Sequence, residues 1–478
     1  MTTGLIALLP DLILAGLACL LFVVDPFIPR EKKFLTGYGA LGALALSGLS
    51  LLPLCGSNLS AFSGMITLDA YALFFKGLFL VIAALVVLMS ILYIQIERIH
   101  LGEYYGLILF ATVGMMLMPA ATDLLSVYLS LELMSISFYV LAAFMRKDPR
   151  SVESGIKYFL TGIFTSGILL YGIAFLYGLT GTTHLGAIRA SLSGGPPSPL
   201  FILALVLLIA GFGFKIAATP FHMWAPDVYE GAPTPITAFL STGSKIAAFA
   251  SLLRVLVTGL EGGYPAWWQM LWIVAVATMT VGNVAALVQT NLKRMLAYSS
   301  IAQSGYILMG LIAFSEAGLS SVLIYALAYA FMTLGAFTTL ILLCRKGVKG
   351  DHLSDFSGLA QTHPVVAALF VLFALSLVGI PPTAGFVGKL FLFKAALMKE
   401  FYWLAIFGVL NSVISLYYYF KVVVAMYMEA PTGDAAPPLA SSPPLMAALG
   451  VMSVATLWIG LYPEPFIRVA IASVQVLR

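Results

Sequence analysis

Glu132, Lys157, Lys215, Lys245 and Lys389 stand inside long apolar runs. Glu132 lies near the middle of VYLSLELMSISFYV, and Lys245 near the middle of LSTGSKIAAFA. Lys215 directly precedes a proline-bearing interruption, Lys389 follows another, and Lys157 sits near the start of its run. The chemistry open to such groups is proton transfer. A low-dielectric surrounding disfavours the charged form, so an embedded lysine can titrate near neutral pH while an exposed one stays charged. An opposite charge at about 4 Å, with an effective dielectric of about 20, contributes about 4 kcal/mol. That equals about three pKa units. Making or breaking a Glu132–Lys215 pair is therefore expected to toggle a proton on Lys215. Lys245 would pass it along the midplane and Lys389 would release it. His222, two residues after Pro220, is open to two readings: a relay, or a donor to carbonyls freed by the proline.

These charges matter because of what surrounds them. The chain has 478 residues, of which 61% are hydrophobic and 9% charged. Soluble domains carry about 25% charged residues, so this chain cannot clothe a water-facing surface of its size. An ionisable group at mid-bilayer costs roughly 2.5–3.5 kcal/mol, and four would cost on the order of 10 kcal/mol if unpaired. They are expected to face the interior of a helix bundle. Bland uses compete with this reading. Lysines can snorkel to the headgroups, and Lys394, Lys399, Lys421 and Lys76 are read that way, while Asp11 can cap or bond locally. The net charge of +4 argues against nucleic acid as a partner. Cys19, Cys55 and Cys344 are far apart and read as packing residues. No phosphate-binding glycine loop, metal-spaced His/Cys cluster or Ser/His/Asp arrangement stands out.

The fold class expected is an all-α polytopic membrane protein. About fourteen runs are long enough to span. They cover roughly 4–27, 35–56, 72–96, 105–122, 124–144, 154–178, 199–225, 236–258, 266–289, 294–314, 318–343, 364–398, 400–428 and 445–462. The first run has no basic leader and reads as a membrane span. Basic residues fix the orientation. Loops after odd-numbered runs hold Arg30, Lys32, Lys33, Arg98, Arg146, Lys147, Arg150, Lys293, Arg294, Arg345, Lys346 and Lys349. The other side holds Arg189, Arg254, Lys399, Arg468 and Arg478. This bias places both termini on the outer face of a bacterial inner membrane.

Two runs carry breaks. Pro220 and Pro226 follow Lys215 in the seventh; Gly379, Pro381, Pro382 and Gly385 interrupt the twelfth. Proline removes a backbone donor and clashes with the preceding turn. Freed backbone groups in lipid are tolerated where they face protein or a wet cavity. Pro220 and Pro382 are 162 residues apart, and the fourth and ninth runs begin 161 apart. Matching interruptions in two halves mark an inverted-repeat transporter. The spacing predicts helices 1–3 in residues 1–104, a first five-helix repeat (helices 4–8) in 105–258 and a second (helices 9–13) in 266–428. A loop, helix 14 and a tail occupy 429–478. Helices 7 and 12 would be the broken ones. The alternative is that the prolines are ordinary kinks.

GFGFKIAATPFHMWAPDVYEGAPTPITAFLSTGSKIAAF, NLKRMLAYSSIAQSGYILMG and GIPPTAGFVGKLFLF resemble the antiporter-like subunits in the membrane arm of respiratory complex I. GIKYFLTGIFTSGILLYGIAFLYGLTG resembles the subunit N type of the proton-pumping NADH:quinone oxidoreductase. The likeness covers about residues 60 to 430. It implies fourteen helices, two inverted repeats and a central polar axis. The family's glutamate in span five falls on Glu132, and its lysines in spans six, seven, eight and twelve fall on Lys157, Lys215, Lys245 and Lys389. The resemblance implies no redox cofactor in this chain; NADH, FMN, iron–sulfur clusters and quinone belong to partner subunits. It implies as neighbours an antiporter-like subunit of the M type, a small K-type subunit and the lateral helix of an L-type subunit. The chain stops soon after run fourteen, without a lateral-helix extension of its own. The expected function is proton translocation coupled to quinone reduction elsewhere, with no catalytic chemistry in this chain alone. A subunit of a multisubunit cation/proton antiporter is the alternative, and a scaffold whose buried charges specify packing is a second.

Overall fold

The computed structural model describes residues 2–97, 99, 101–192, 198–344, 350–431 and 439–477. Arg98, Arg345, Lys346, Lys349 and Arg478, which enter the sidedness argument, lie outside the described residues. Helices dominate. Leu9–Val24 (α1), Phe34–Leu51 (α2), Ala70–Ile96 (α3), Glu103–Leu117 (α4), Leu124–Ala142 (α5) and Pro149–Thr180 (α6) come first. Pro199–Lys215 (α7) and Trp224–Gly231 (α8) precede the long helical run Thr234–Gly259 (α9). Then come Tyr264–Leu287 (α10), Leu292–Ile312 (α11), Glu316–Leu343 (α12), Pro364–Val378 (α13) and Ala384–Met398 (α14). Tyr402–Met428 (α15), Pro443–Leu461 (α16) and Glu464–Gln475 (α17) close the chain. Among the described residues, twelve helical spans are long and apolar enough to cross a membrane, while α7 and α13 are apolar but shorter. The chain is a polytopic membrane protein.

The helices start where the sequence supplies caps. Asp69 accepts from the Ala72 amide at 2.8 Å, and Asp123 from the Leu125 amide at 2.9 Å. Asn291 accepts from the Arg294 amide at 3.0 Å. Each cap satisfies an amide that the helix itself leaves orphaned. The junction between runs four and five is a real break: α4 ends in a short 3-10 turn, Met118–Ala120, and α5 restarts at the Asp123 cap. Small residues then let helices approach. At Gly282 on α10, an added Cβ would fall 2.6 Å from the Ala302 amide nitrogen of α11, so only glycine admits this contact.

Burial separates centre from periphery. The most apolar stretches of α9, α11 and α12 are 100%, 94% and 89% buried, against 28% for α1 and 39% for α6 and α10. A helix covered all round belongs to the core. Lys245 therefore lies at the centre of the bundle by virtue of its helix.

Several expectations need correction. Lys76 does not snorkel: it is fully buried on α3 and ion-paired with Asp11 of α1. A headgroup is out of reach for a side chain enclosed on every side, and the carboxylate two helices away supplies the compensation. Arg254, counted with the outer loops, is instead buried within the last turns of α9 and donates to both Asp69 carboxylate oxygens, at 2.8 and 2.9 Å. Cys344 is buried as expected, but Cys19 and Cys55 are exposed and do not pack in the core. The loop between α2 and α3 holds a two-stranded antiparallel hairpin, with Leu59 opposite Leu68 and Ala61 opposite Ile66. Its strands are three residues each, too short for a period-two pattern to register.

Candidate functional site

Lys215 is the last residue of α7, and the chain from Ile216 to Met223 is non-helical before α8 resumes. A helix end leaves carbonyls without partners. Here they are met by side chains from elsewhere: Trp224 donates to the Phe214 carbonyl at 2.9 Å, and Ser304 of α11 donates to the Ile216 carbonyl at 2.6 Å. The Lys215 amine is buried. It donates to Ser135 Oγ at 2.7 Å and to the Tyr139 hydroxyl at 3.3 Å, both on α5. Glu132, Ser135 and Tyr139 follow one another at helical spacing and so share one face of α5.

Glu132 is half-buried and accepts from Ser166 of α6. Among the described residues, no ion pair joins it to Lys215. A serine holds the acid, and a serine and a tyrosine hold the amine. Lys245, on α9, is buried and donates to Ser300 Oγ of α11 at 2.8 Å, with its Nζ 5.7 Å from the Tyr229 ring centre.

Lys389 lies one turn into α14, after the non-helical segment that follows α13. Its amine reaches back to the carbonyls of Leu377 at 3.1 Å and Val378 at 2.8 Å, and to Ser412 Oγ at 2.8 Å. A cation at a helix C-terminus also meets the negative end of the helix dipole. Its Nζ is 4.4 Å from the Tyr306 ring centre. Gly379 permits this geometry: its φ is +92°, and a Cβ there would lie 2.9 Å from Lys389 Cδ. Gly379→Ala is expected to cost about 1–2 kcal/mol in backbone strain. Thermal inactivation of the purified protein would measure it.

The structure brings Glu132, Lys215, Lys245 and Lys389 into the bundle, but Lys157 stands apart. Its side chain is 44% exposed and pairs with Glu153 and Asp227, both at 2.8 Å. Asp227 in turn accepts from Arg294 at 2.7 Å. Lys157, Glu153 and Asp227 line a cleft of about 190 Å³ with Arg150 and Glu230. Near the start of α6, on its outward face, a lysine finds surface acids before it can reach the centre. His222 is nearly enclosed, and its Nδ1 has no hydrogen-bond partner. Pro220, Pro381 and Pro382 are exposed within the two non-helical segments.

Sequence reasoning missed the neutral partners Ser135, Tyr139, Ser166, Ser300, Gln303 and Ser412. Their signal was present as hydroxyl and amide residues three or four apart within apolar runs. The pair Asp69–Arg254 was missed because its members are 185 residues apart. Among the described residues, no group of three or more His, Cys, Asp or Glu is placed to hold a metal ion.

Residues 121–415 match the family described as NADH:quinone oxidoreductase/Mrp antiporter, transmembrane. NADH-quinone oxidoreductase subunit N of Trichlorobacter lovleyi is 45% identical over 100% of this chain and 98% of its own length. A chain of respiratory complex I from Thermus thermophilus superposes with a TM-score of 0.81 at 33% identity, covering 96% of this chain and 98% of that one. A chain of the Mrp complex from Dietzia has a TM-score of 0.88 at 22% identity, covering 100% of this chain and 98% of that one, a likeness of fold. Full-length identity of this order, on a helical bundle with lysines buried at its centre, assigns the chain to the NADH-quinone oxidoreductase subunit N family.

Proposed function

We propose that this chain moves protons through the membrane arm of NADH-quinone oxidoreductase, along Glu132, Lys215, Lys245 and Lys389. One observation carries the reading. Helix α11 touches all three lysine positions: Ser304 bonds the carbonyl next to Lys215, Ser300 accepts from Lys245, and Gln303 donates to the Leu377 carbonyl that Lys389 also uses. Moving one charge through 100 mV costs about 2.3 kcal/mol. Closing a Glu132–Lys215 pair supplies energy of that size. Lys157 would act at the surface cleft instead of on the row, and His222 would serve as a relay beside Lys245.

The finer architecture is part of the proposal. Adding α7 with α8, and α13 with α14, as two single broken crossings to the twelve long spans gives fourteen. The two five-helix repeats would occupy 105–258 and 266–428, after helices 1–3 in 1–104 and before 429–478. Isolated backbone bridges support this repeat: Asp123 pairs with His184, and Asn291 with His352. Both members shift by the same amount between halves (291 − 123 = 352 − 184 = 168). Both termini would lie on the outer side of the bacterial inner membrane. The redox cofactors and quinone would reside in partner subunits, with M-type, K-type and L-type chains as neighbours and no chemistry of its own in this one.

Lys389→Met is expected to abolish proton pumping by the assembled complex in inverted membrane vesicles. Pumping at the wild-type rate would exclude the row. A cation/proton antiporter role is the second reading, favoured by the fold likeness to the Mrp complex chain. Co-purification of this chain with iron–sulfur subunits sustains the first reading, and recovery with antiporter subunits alone would establish the second.

A further inference from the structure

The two halves treat their lysines alike in one respect. Asp123 caps α5 and Asn291 caps α11. Ser135 and Gln303 stand at the same register from those caps (135 − 123 = 303 − 291 = 12). Ser135 takes the Lys215 amine directly. Gln303 acts one atom removed. Its Nε2 donates at 3.0 Å to the Leu377 carbonyl, which also accepts from Lys389 at 3.1 Å. The orientation of the amide is not free. The carbonyl can only accept, so the NH2 end must face it, and Oε1 then accepts from the Tyr325 hydroxyl. A carbonyl oxygen has two lone pairs. Here one serves the amide and one serves the ammonium.

We propose that Gln303 is a positioning residue that sets how readily Lys389 releases its proton, by occupying one of the two acceptor sites of the Leu377 carbonyl. This rests on the reading of Lys389 as a member of the proton row. Gln303 touches no transferred proton and does not titrate. Without its donor, the Leu377 carbonyl turns wholly to the Lys389 ammonium and retains it. The titratable groups around Gln303 are Tyr325 and Tyr329 of α12, Tyr419 and Tyr418 of α15, Tyr306 on its own helix, Lys389 beyond the shared carbonyl, and Lys245 of α9, which Ser300 holds one turn earlier on α11. Lys389 and Lys245 are the cations among them, and the shared Leu377 carbonyl ties position 303 to Lys389.

The test uses the assembled complex in membrane vesicles, with the amount of complex checked by native gel. Gln303→Leu removes the donor and is expected to slow pumping roughly tenfold, the size of one hydrogen bond to a charged group. Its pH optimum should move to higher pH, where Lys389 loses its proton more easily. Gln303→Glu keeps the size of the side chain. When ionised it holds Lys389 charged, and when protonated its O–H replaces the amide donor. Its pumping should therefore recover as pH falls, opposite to Gln303→Leu. A residue that merely fills space would move neither profile, and unshifted profiles in both variants overturn the inference. If Gln303→Leu fails to assemble, the acid recovery of Gln303→Glu decides alone. Should Lys389→Met pump normally, the row itself is wrong; should Lys389→Met fail while both Gln303 variants keep the wild-type profile, only the role of Gln303 is.

Discussion

Lys215→Met is expected to lower proton pumping by roughly a hundredfold, the scale of losing a positioned proton-transfer group, while the complex still assembles. Methionine nearly matches the volume of the lysine stem, and the Lys215 site is enclosed, so packing around α5 and α7 survives. What disappears is the amine that donates to Ser135 and Tyr139. Both hydroxyls can pair with each other or with water once it is gone, so the variant leaves no orphaned charge. Proton uptake by inverted vesicles, compared with quinone reduction in the same preparation, measures the effect. Glu132→Gln should be milder. It keeps an acceptor for Ser166 and loses the charge that would close onto Lys215. Wild-type pumping in Lys215→Met would leave the buried lysines as packing devices.

The second large effect concerns stability. Asp11→Ala should destabilise the chain by about 3–5 kcal/mol, because it leaves the fully buried Lys76 ammonium without its partner. The cost comes from the uncompensated charge more than from the lost attraction. Replacing both residues with apolar ones of similar size, Asp11→Leu with Lys76→Met, should recover most of the loss. Thermal inactivation of the purified complex would read both. If the double variant were as unstable as Asp11→Ala, the pair would be holding α1 on α3 by its geometry and not merely neutralising itself. Neither residue lies on the row, so pumping per assembled complex should stay unchanged in the double variant.

The two predictions differ in kind because the buried charges differ in kind. Lys76 and Arg254 each face a carboxylate and stay fixed. Lys215, Lys245 and Lys389 face hydroxyls, carbonyls and ring faces, and among the described residues none has a carboxylate within ion-pair distance. On the proposed row, a lysine that meets only neutral dipoles would have no fixed counter-charge, whereas Lys76 and Arg254 each have one.

The amino-acid sequence by itself determined that this is a membrane bundle, where its apolar runs lie, where two of them stop, and which ionisable groups stand inside them. Those features are local: apolar length, proline and charge are each written in a short window of the chain. The tertiary structure alone decided which lysines are paired. In sequence Lys76 reads as a snorkelling lysine and Lys157 as a member of the row, yet one meets Asp11 in the interior and the other meets Glu153 and Asp227 at the surface. Only the packing of α11 against three other regions shows that Ser300, Gln303 and Ser304 join the lysine sites. Hydrogen bonds between residues 55 to 88 positions apart depend on how helices cross, and no single window of sequence records a crossing.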